Sequence, residues 1–170
     1  AFAFSHDVAD EAQWVAVIAE AVAAMGGLSI LVNNAGVGGP LVFVETDTVE
    51  NWQRQYDINL KSVMLGCKHA MAHLRASAPA SIINISSIAG LAAAPGMGAY
   101  NATKAAVWMY TRTIALEAAK QDWNVRCNSV HPAFIKTAIL DPFVAMAGGD
   151  EVRAHERLSR GIPLKRIGEP

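Results

Sequence analysis

Tyr100 is followed four residues later by Lys104, and a helix would carry both side chains on one face. A phenol ordinarily ionises near pH 10. A fixed cation within about 4–6 Å lowers that value, which a tyrosine needs if it is to exchange protons near neutrality. Alone, the pair is a weak signal, because many helices bring Tyr and Lys to this spacing. Its surroundings make it specific. Ser87 stands thirteen residues earlier, at the end of the run SIINIS, where a hydroxyl can face the first turn of the following helix. Asn59 lies within a long helical stretch, in Asp-Ile-Asn-Leu. Asn33-Asn34-Ala35-Gly36 closes another apolar run, and its small residues let a ligand approach the backbone. Ser86 is the less suitable serine, since alternation along a strand turns it away from Ser87.

These residues require elements to position them. Trp14, Ile18, Val22 and Met25 recur at helical spacing, with Val15 alongside, and the run ends at Gly26-Gly27. Leu28 to Val32 is a compact apolar run that suits a strand buried on both faces; Ser81 to Ser86 and Val125 to Val130 read the same way. Between them, 49–75 and 100–120 are helical, the former preceded by Thr46, Asp47 and Thr48 as candidate caps. Alternation at this spacing predicts right-handed crossovers onto a parallel sheet with helices on both faces. That is a doubly wound, Rossmann-like α/β fold in three α/β/α layers. Ligands of such sheets sit beyond the carboxyl ends of the strands, so the loops 33–39, 86–90 and 131–137 should converge on one site. After Val130, Pro132, Pro142, Gly148, Gly149, Gly161 and Pro163 predict a mobile, partly apolar loop.

Composition narrows the function. The chain has 170 residues, with 14 Lys+Arg against 15 Asp+Glu and a net charge of −1, which provides no basic face for nucleic acid. Its length suits one domain. The longest charge-free stretch, Ala76 to Thr103, is broken by Pro79, Gly90, Pro95, Gly96 and Gly98 and is not a membrane span. Nothing at the start resembles a signal peptide, and two distant cysteines, Cys67 and Cys127, fit a reducing, cytoplasmic setting. His69 and His73 share a helical face, but the glutamate of a zinc helix and a third ligand are lacking, so no metal is expected. His131, before Pro132, suits a hydrogen bond that fixes its loop.

NNAG at 33–36, Asn59, Ser87 in IINISS, Tyr100-x-x-x-Lys104 in AYNATKAA and HPAFIKT at 131–137 together resemble the short-chain dehydrogenase/reductase family in its single-domain form. The resemblance runs through almost the whole chain. It implies that Tyr100 is the general acid/base and that Ser87 hydrogen-bonds the substrate oxygen. Lys104 would bind the nicotinamide ribose and lower the tyrosine pKa, and Asn59 would hold a water relaying protons from Lys104. Asn33, Asn34, Ala35 and Gly36 would line the adenosine side of NAD or NADP and steady the sheet. Asp7 and Val8 match the family's acidic-apolar pair beside the adenine. Pro132 and Ala133 would pass the nicotinamide, with Ala133 where the family usually has Gly, and Thr137 with the Ile135 backbone would hold the carboxamide.

The implied activity is interconversion of a secondary alcohol and a ketone: hydride leaves carbon for NAD(P) while the Tyr100 phenolate removes the hydroxyl proton. Val37, Leu91, Ala92, Ala94, Met97, Ile139, Leu140, Phe143 and Met146 fall in loops around the site, with Lys136 as the one nearby cation, so the expected substrate is apolar, cyclic or steroid-like. HDVADEAQW and DINLKSVMLGCKHAM resemble hydroxysteroid and cyclic-alcohol dehydrogenases of the family. A non-catalytic nucleotide-binding regulator and an extended-branch epimerase or dehydratase are the competing readings. No Gly-rich strand-to-helix loop precedes NNAG, and AFAFSHDV resembles the family's third strand. Residues 1–170 therefore read as a partial domain, short of two βα units, on the order of 60 residues, at one end and of a helix and strand at the other. The residue that separates NAD from NADP would lie in the missing part; NAD is the preferred reading. The family also implies a homo-oligomer, tetramer or dimer, paired through the helices 49–75 and 100–120.

Overall fold

The computed structural model describes residues 1–170. Helix α1 spans Glu11–Met25. Asp10 begins it by accepting the Ala12 and Gln13 N–H groups at 2.8 and 3.2 Å, and Gly26 ends it at φ +76°. Strand β1 (Ile30–Asn33) leads to α2 (Val49–Tyr56), which the Thr48 hydroxyl caps at the Asn51 N–H. A π-helical turn over Asp57–Lys61 passes directly into α3 (Ser62–Ala76). Then come β2 (Ala80–Ile85), a 3₁₀ turn at Ile88–Gly90, α4 (Gly98–Lys120) and β3 (Val125–Val130). A 3₁₀ turn at Ala138–Leu140 precedes α5 (Asp141–Met146) and α6 (Glu151–Ser159).

The strands form a parallel sheet in the order β1-β2-β3, a Rossmann-like α/β arrangement. Leu31 is paired with Ile82, Ile82 with Cys127, and Asn33 with Asn84. Those side chains point to one face, where Trp14 and Ile18 of α1, Cys67, Ala70 and Leu74 of α3, and Val107, Ile114 and Ala118 of α4 close over them. Successive right-handed crossovers running in one direction across a sheet must leave their helices on the same side. The second helical layer expected from the sequence is accordingly not built by these residues. Ile30 and Val32, expected to be buried, are 61% and 52% exposed on the other face.

Two further expectations change. AFAFSHDV forms no strand: β1 hydrogen-bonds only to β2, so the segment has no neighbour to build a ladder with. The segment after Val130 carries regular structure despite its Pro and Gly content. Asp150 caps α6 at the Arg153 N–H, and Ile135 pairs with Gly168 in a parallel bridge. No helix is long and apolar enough to cross a membrane.

The apolar core carries one polar thread. Asn33 Nδ2 donates to Asn84 Oδ1 at 2.8 Å, Asn84 Nδ2 to Thr111 Oγ1 at 3.0 Å, and the Thr111 hydroxyl to the Val107 carbonyl at 2.7 Å. The thread joins β1 to β2 and β2 to α4. Cys67 and Cys127 lie beside it, their thiols pushed up to about 12 by burial and therefore inert. Helix α3 reaches this layer only because Gly66 has no side chain: a Cβ there would run into Asn33 Oδ1 and lie 3.1 Å from Trp14. Gly66→Ala is expected to destabilise the chain by about 1–3 kcal/mol, read as a lowered melting temperature, despite the better helix propensity of alanine.

Candidate active site

The exit of β2 builds the site. Ser86, buried, donates its hydroxyl to the Lys104 carbonyl at 2.8 Å and so ties the strand end to α4. Ser87 points elsewhere, as strand alternation predicts, and its Oγ accepts the Ala89 N–H at 3.1 Å to open the 3₁₀ turn. At Gly90 the turn presses on α4: a Cβ would lie 2.7 Å from both the Lys104 carbonyl carbon and oxygen. His131 holds the third loop against the second. Its Nδ1 donates to the Ser87 carbonyl at 3.1 Å, and its Nε2 pairs with the Ser129 hydroxyl at 2.9 Å.

Tyr100 and Lys104 stand one turn apart on α4, with the ammonium 5.8 Å from the phenol ring centroid. Lys104 is only 3% exposed and donates to the Ile85 carbonyl at 2.9 Å. Burial lowers its pKa to about 8. Burial likewise raises Tyr100 above the ordinary phenol range, and the Ser87 hydroxyl beside it pulls the other way. The Lys104 ammonium, which the sequence expects to lower the tyrosine, is bonded to the Ile85 carbonyl beside the ring.

Asn59 is fully buried in the π-helical turn, where the Ser62 N–H reaches back to the Asp57 carbonyl. Sequence periodicity read 49–75 as one uninterrupted helix and missed this turn. The Asn59 amide clamps the loop after β1: Oδ1 accepts the Val37 N–H at 2.8 Å, while Nδ2 donates to the Val37 carbonyl at 3.0 Å and to Thr103 Oγ1 at 3.3 Å. Gly36 closes the group, since a Cβ there would lie 3.4 Å from both Asn59 Oδ1 and Lys104 Nζ.

Ser87 and Tyr100 line a cavity of about 130 Å³ together with Gly38, Gly39, Ala133 and Phe134, so the three predicted loops do converge. Of the apolar residues expected around it, Ala92, Ala94, Met97, Ile139, Leu140 and Phe143 line it. Val37 and Leu91 do not, Met146 lines an adjoining groove, and Lys136 is turned to Glu151 at 3.3 Å. The residues read as cofactor ligands are scattered. Asn34 and Ala35 are exposed at the end of β1, whereas Asn33 faces the core. Asp7 caps its own turn at the Ala9 N–H, and the Val8 carbonyl accepts the Trp14 indole; both lie away from the cavity. The Pro132 carbonyl accepts the Ile88 N–H, and exposed Thr137 donates to its own loop at Ile135. Sequence reasoning missed Asp47, Asn51 and Gln55, which give the cavity a polar wall; their regular spacing of four was the available signal.

A helix-covered parallel sheet with a serine, a tyrosine and a buried lysine at its carboxyl edge defines a class that known proteins also occupy. Residues 1–147 match the family model described as short chain dehydrogenase. The chain belongs to the short-chain dehydrogenase family. It is 37% identical over 166 residues to the NADP-dependent (R)-specific alcohol dehydrogenase of Lentilactobacillus kefiri, covering 97% of this chain and 63% of that protein. It is 42% identical over 135 residues to a 3-alpha-(or 20-beta)-hydroxysteroid dehydrogenase of Mycobacterium tuberculosis, covering 79% and 51%. The ligand-free aldohexose dehydrogenase of Thermoplasma acidophilum superposes with a TM-score of 0.90 at 31% identity, covering 98% of this chain and 66% of the other. The chain thus spans between half and two thirds of the length of these relatives.

Holding a lysine in this position costs stability. Below about pH 8 Lys104 is charged in both the folded and unfolded states, and the folded state bears the whole desolvation cost; between about 8 and 10.5 the folded state alone sheds the proton and the cost is relieved. Lys104→Met is therefore expected to stabilise the free chain by about 1–3 kcal/mol at pH 7, after allowance for the lost bond to Ile85. Melting curves across pH should show the gain shrinking as pH rises from 8 towards 10.5. An offset independent of pH would show that charge burial is not its cause.

Proposed function

We propose that these residues form the catalytic part of an NAD(P)-dependent oxidoreductase that interconverts a secondary alcohol and a ketone, with Tyr100 as general acid/base. One observation carries the reading: Ser87 and Tyr100 line the same cavity, with the Lys104 ammonium buried behind the phenol. The relatives named above, both dehydrogenases, support it.

The residues present suit the nicotinamide end of a dinucleotide. Gly36 leaves open the space beside Lys104 and Asn59 that a Cβ would narrow, and Asn34 and Ala35 are exposed at the strand's carboxyl end. In this reading Lys104, Gly36, Pro132, Ala133, Ile135 and Thr137 hold the dinucleotide, and Asn34 and Ala35 with Asp7 and Val8 flank its adenosine side. Asn33 contributes by steadying the sheet from within the core. When bound, the dinucleotide supplies the hydride acceptor. No residue within 1–170 is assigned to the ribose 2′ position and the Lentilactobacillus relative is NADP-dependent, so the proposal drops the preference for NAD.

The proton chemistry belongs to this chain. Ser87 Oγ hydrogen-bonds the substrate hydroxyl and orients it towards the phenol. Tyr100 Oη removes the hydroxyl proton on oxidation and returns it on reduction. Lys104, protonated below about pH 8, favours the phenolate as it forms, more strongly in a dehydrated site than it would in water. The Asn59 side chain, bonded to Val37 and Thr103, fixes the loop after β1 beside Lys104, and in this reading Asn59 also holds the water that relays protons from Lys104. The same reading includes a dimer or tetramer built through the long helices, for which exposed Trp52 and Tyr56 on α2 and Met109 and Leu116 on α4 supply apolar surface.

The test is turnover of cyclopentanol and 2-butanol with NAD+ and NADP+. Tyr100→Phe is expected to lower kcat by about 10³-fold or more while leaving the melting temperature close to that of the parent. Turnover that survives the substitution overturns the assignment of Tyr100.

A further inference from the structure

The peptide between Ser87 and Ile88 is held from outside its own turn at both of its polar groups. His131 Nδ1 donates to the Ser87 carbonyl at 3.1 Å, and the Ile88 N–H donates to the Pro132 carbonyl at 3.1 Å. The peptide is trans, so its carbonyl and its N–H point in opposite directions, and two consecutive residues of the loop after β3 grip it from both sides. The Gly90 N–H also reaches the Ser87 carbonyl, at 3.0 Å, but it lies within the same 3₁₀ turn and moves with it. One outside bond would leave the peptide free to rock about it; two opposed bonds fix its plane.

The imidazole that supplies one of those bonds is itself held. A carbonyl only accepts, so Nδ1 must carry a proton; in the neutral ring Nε2 is then an acceptor, and the Ser129 hydroxyl of β3 donates to it at 2.9 Å. Trp108 of α4 packs edge-on with the ring, their centroids 6.3 Å apart. What the peptide plane controls in turn is the Ser87 side chain. Ser87 Oγ accepts the Ala89 N–H at 3.1 Å, and that N–H belongs to the next peptide of the turn. Rotation of the Ser87–Ile88 plane carries the Ala89 N–H away from Oγ and frees the hydroxyl to take its other rotamers.

We propose that His131 is a positioning residue for the reaction: by holding the Ser87–Ile88 peptide, it fixes the direction in which Ser87 Oγ meets the substrate hydroxyl. The proposal rests on the oxidoreductase reading above and adds to it a residue that does not line the cavity and so acts through Ser87.

The experiment measures kcat and KM for cyclopentanol in His131→Asn and His131→Gln, each made in the parent and in Ser87→Ala. Asparagine places Nδ2 as many bonds from Cα as histidine places Nδ1 and keeps the donor for the Ser87 carbonyl, whereas the glutamine amide extends one bond further, towards Ser129. His131→Gln is expected to lower kcat by about 10- to 100-fold with little change in KM, and His131→Asn by less than about threefold. In the Ser87→Ala background His131→Gln is expected to cost less than about twofold, because the hydroxyl it orients is gone. A loss of equal size in both backgrounds, an equal loss from Asn and Gln, or no loss from Gln overturns the proposal. Hydrogen exchange gives a readout independent of turnover: the Ala89 amide is expected to exchange faster in His131→Gln and at the parent's rate in His131→Asn. That readout decides if Ser87→Ala turns over too slowly to compare. If the parent turns over no alcohol with either dinucleotide, the oxidoreductase reading fails and exchange alone judges His131. Unchanged Ala89 exchange in His131→Gln, or equal acceleration in both variants, then overturns its hold on Ser87.

Discussion

Three contacts on the main chain and side chain of one residue set the geometry of this molecule. The Ser86 hydroxyl bonds the Lys104 carbonyl, the Lys104 ammonium bonds the Ile85 carbonyl, and the bare Cα of Gly90 rests on the Lys104 peptide. Each runs between the exit of β2 and the second turn of α4. Together they fix how deep the helix sits and how it is rotated about its axis. Tyr100, one turn earlier on that helix, is thereby brought beside Ser87. A buried ammonium is a costly anchor, and its persistence is understandable when the same charge supports a phenolate.

The polar thread Asn33–Asn84–Thr111 does for the interior what Lys104 does for the edge. Close packing of apolar side chains already resists displacement of the sheet under its helices, and amides in a dry core add a stricter condition, since they must meet their partners or lose them. Asn33 shows how a motif can mislead about its members. NNAG is one unit in the sequence, yet strand alternation sends Asn33 into the core and leaves Asn34 exposed.

Much of this was legible in the residues. β3 occupies the predicted 125–130, α4 begins two residues before Tyr100, and the division of labour between Ser86 and Ser87 follows from alternation. What was not legible depends on relations that composition does not carry. A strand exists only with a partner, so the apolar character of AFAFSHDV could not make it one. The side of the sheet that helices cover is a property of crossover direction, which periodicity within one helix cannot report. The polar wall of Asp47, Asn51 and Gln55 was hidden because its first member precedes the helix and its last two resemble an ordinary solvated face.

The π-helical turn at Asp57–Lys61 amounts to one residue inserted into an otherwise regular helix. Each residue of an α-helix advances the azimuth by about 100°, so everything in α3 takes its orientation from that one insertion. Excising a single residue there would preserve helix length to within a fraction of a turn while rotating Cys67, Ala70 and Leu74 away from the sheet and Gly66 away from Asn33. The stretch should therefore accept substitutions far more readily than deletions: its chemistry is replaceable at several positions, but its residue count is a dimension of the core.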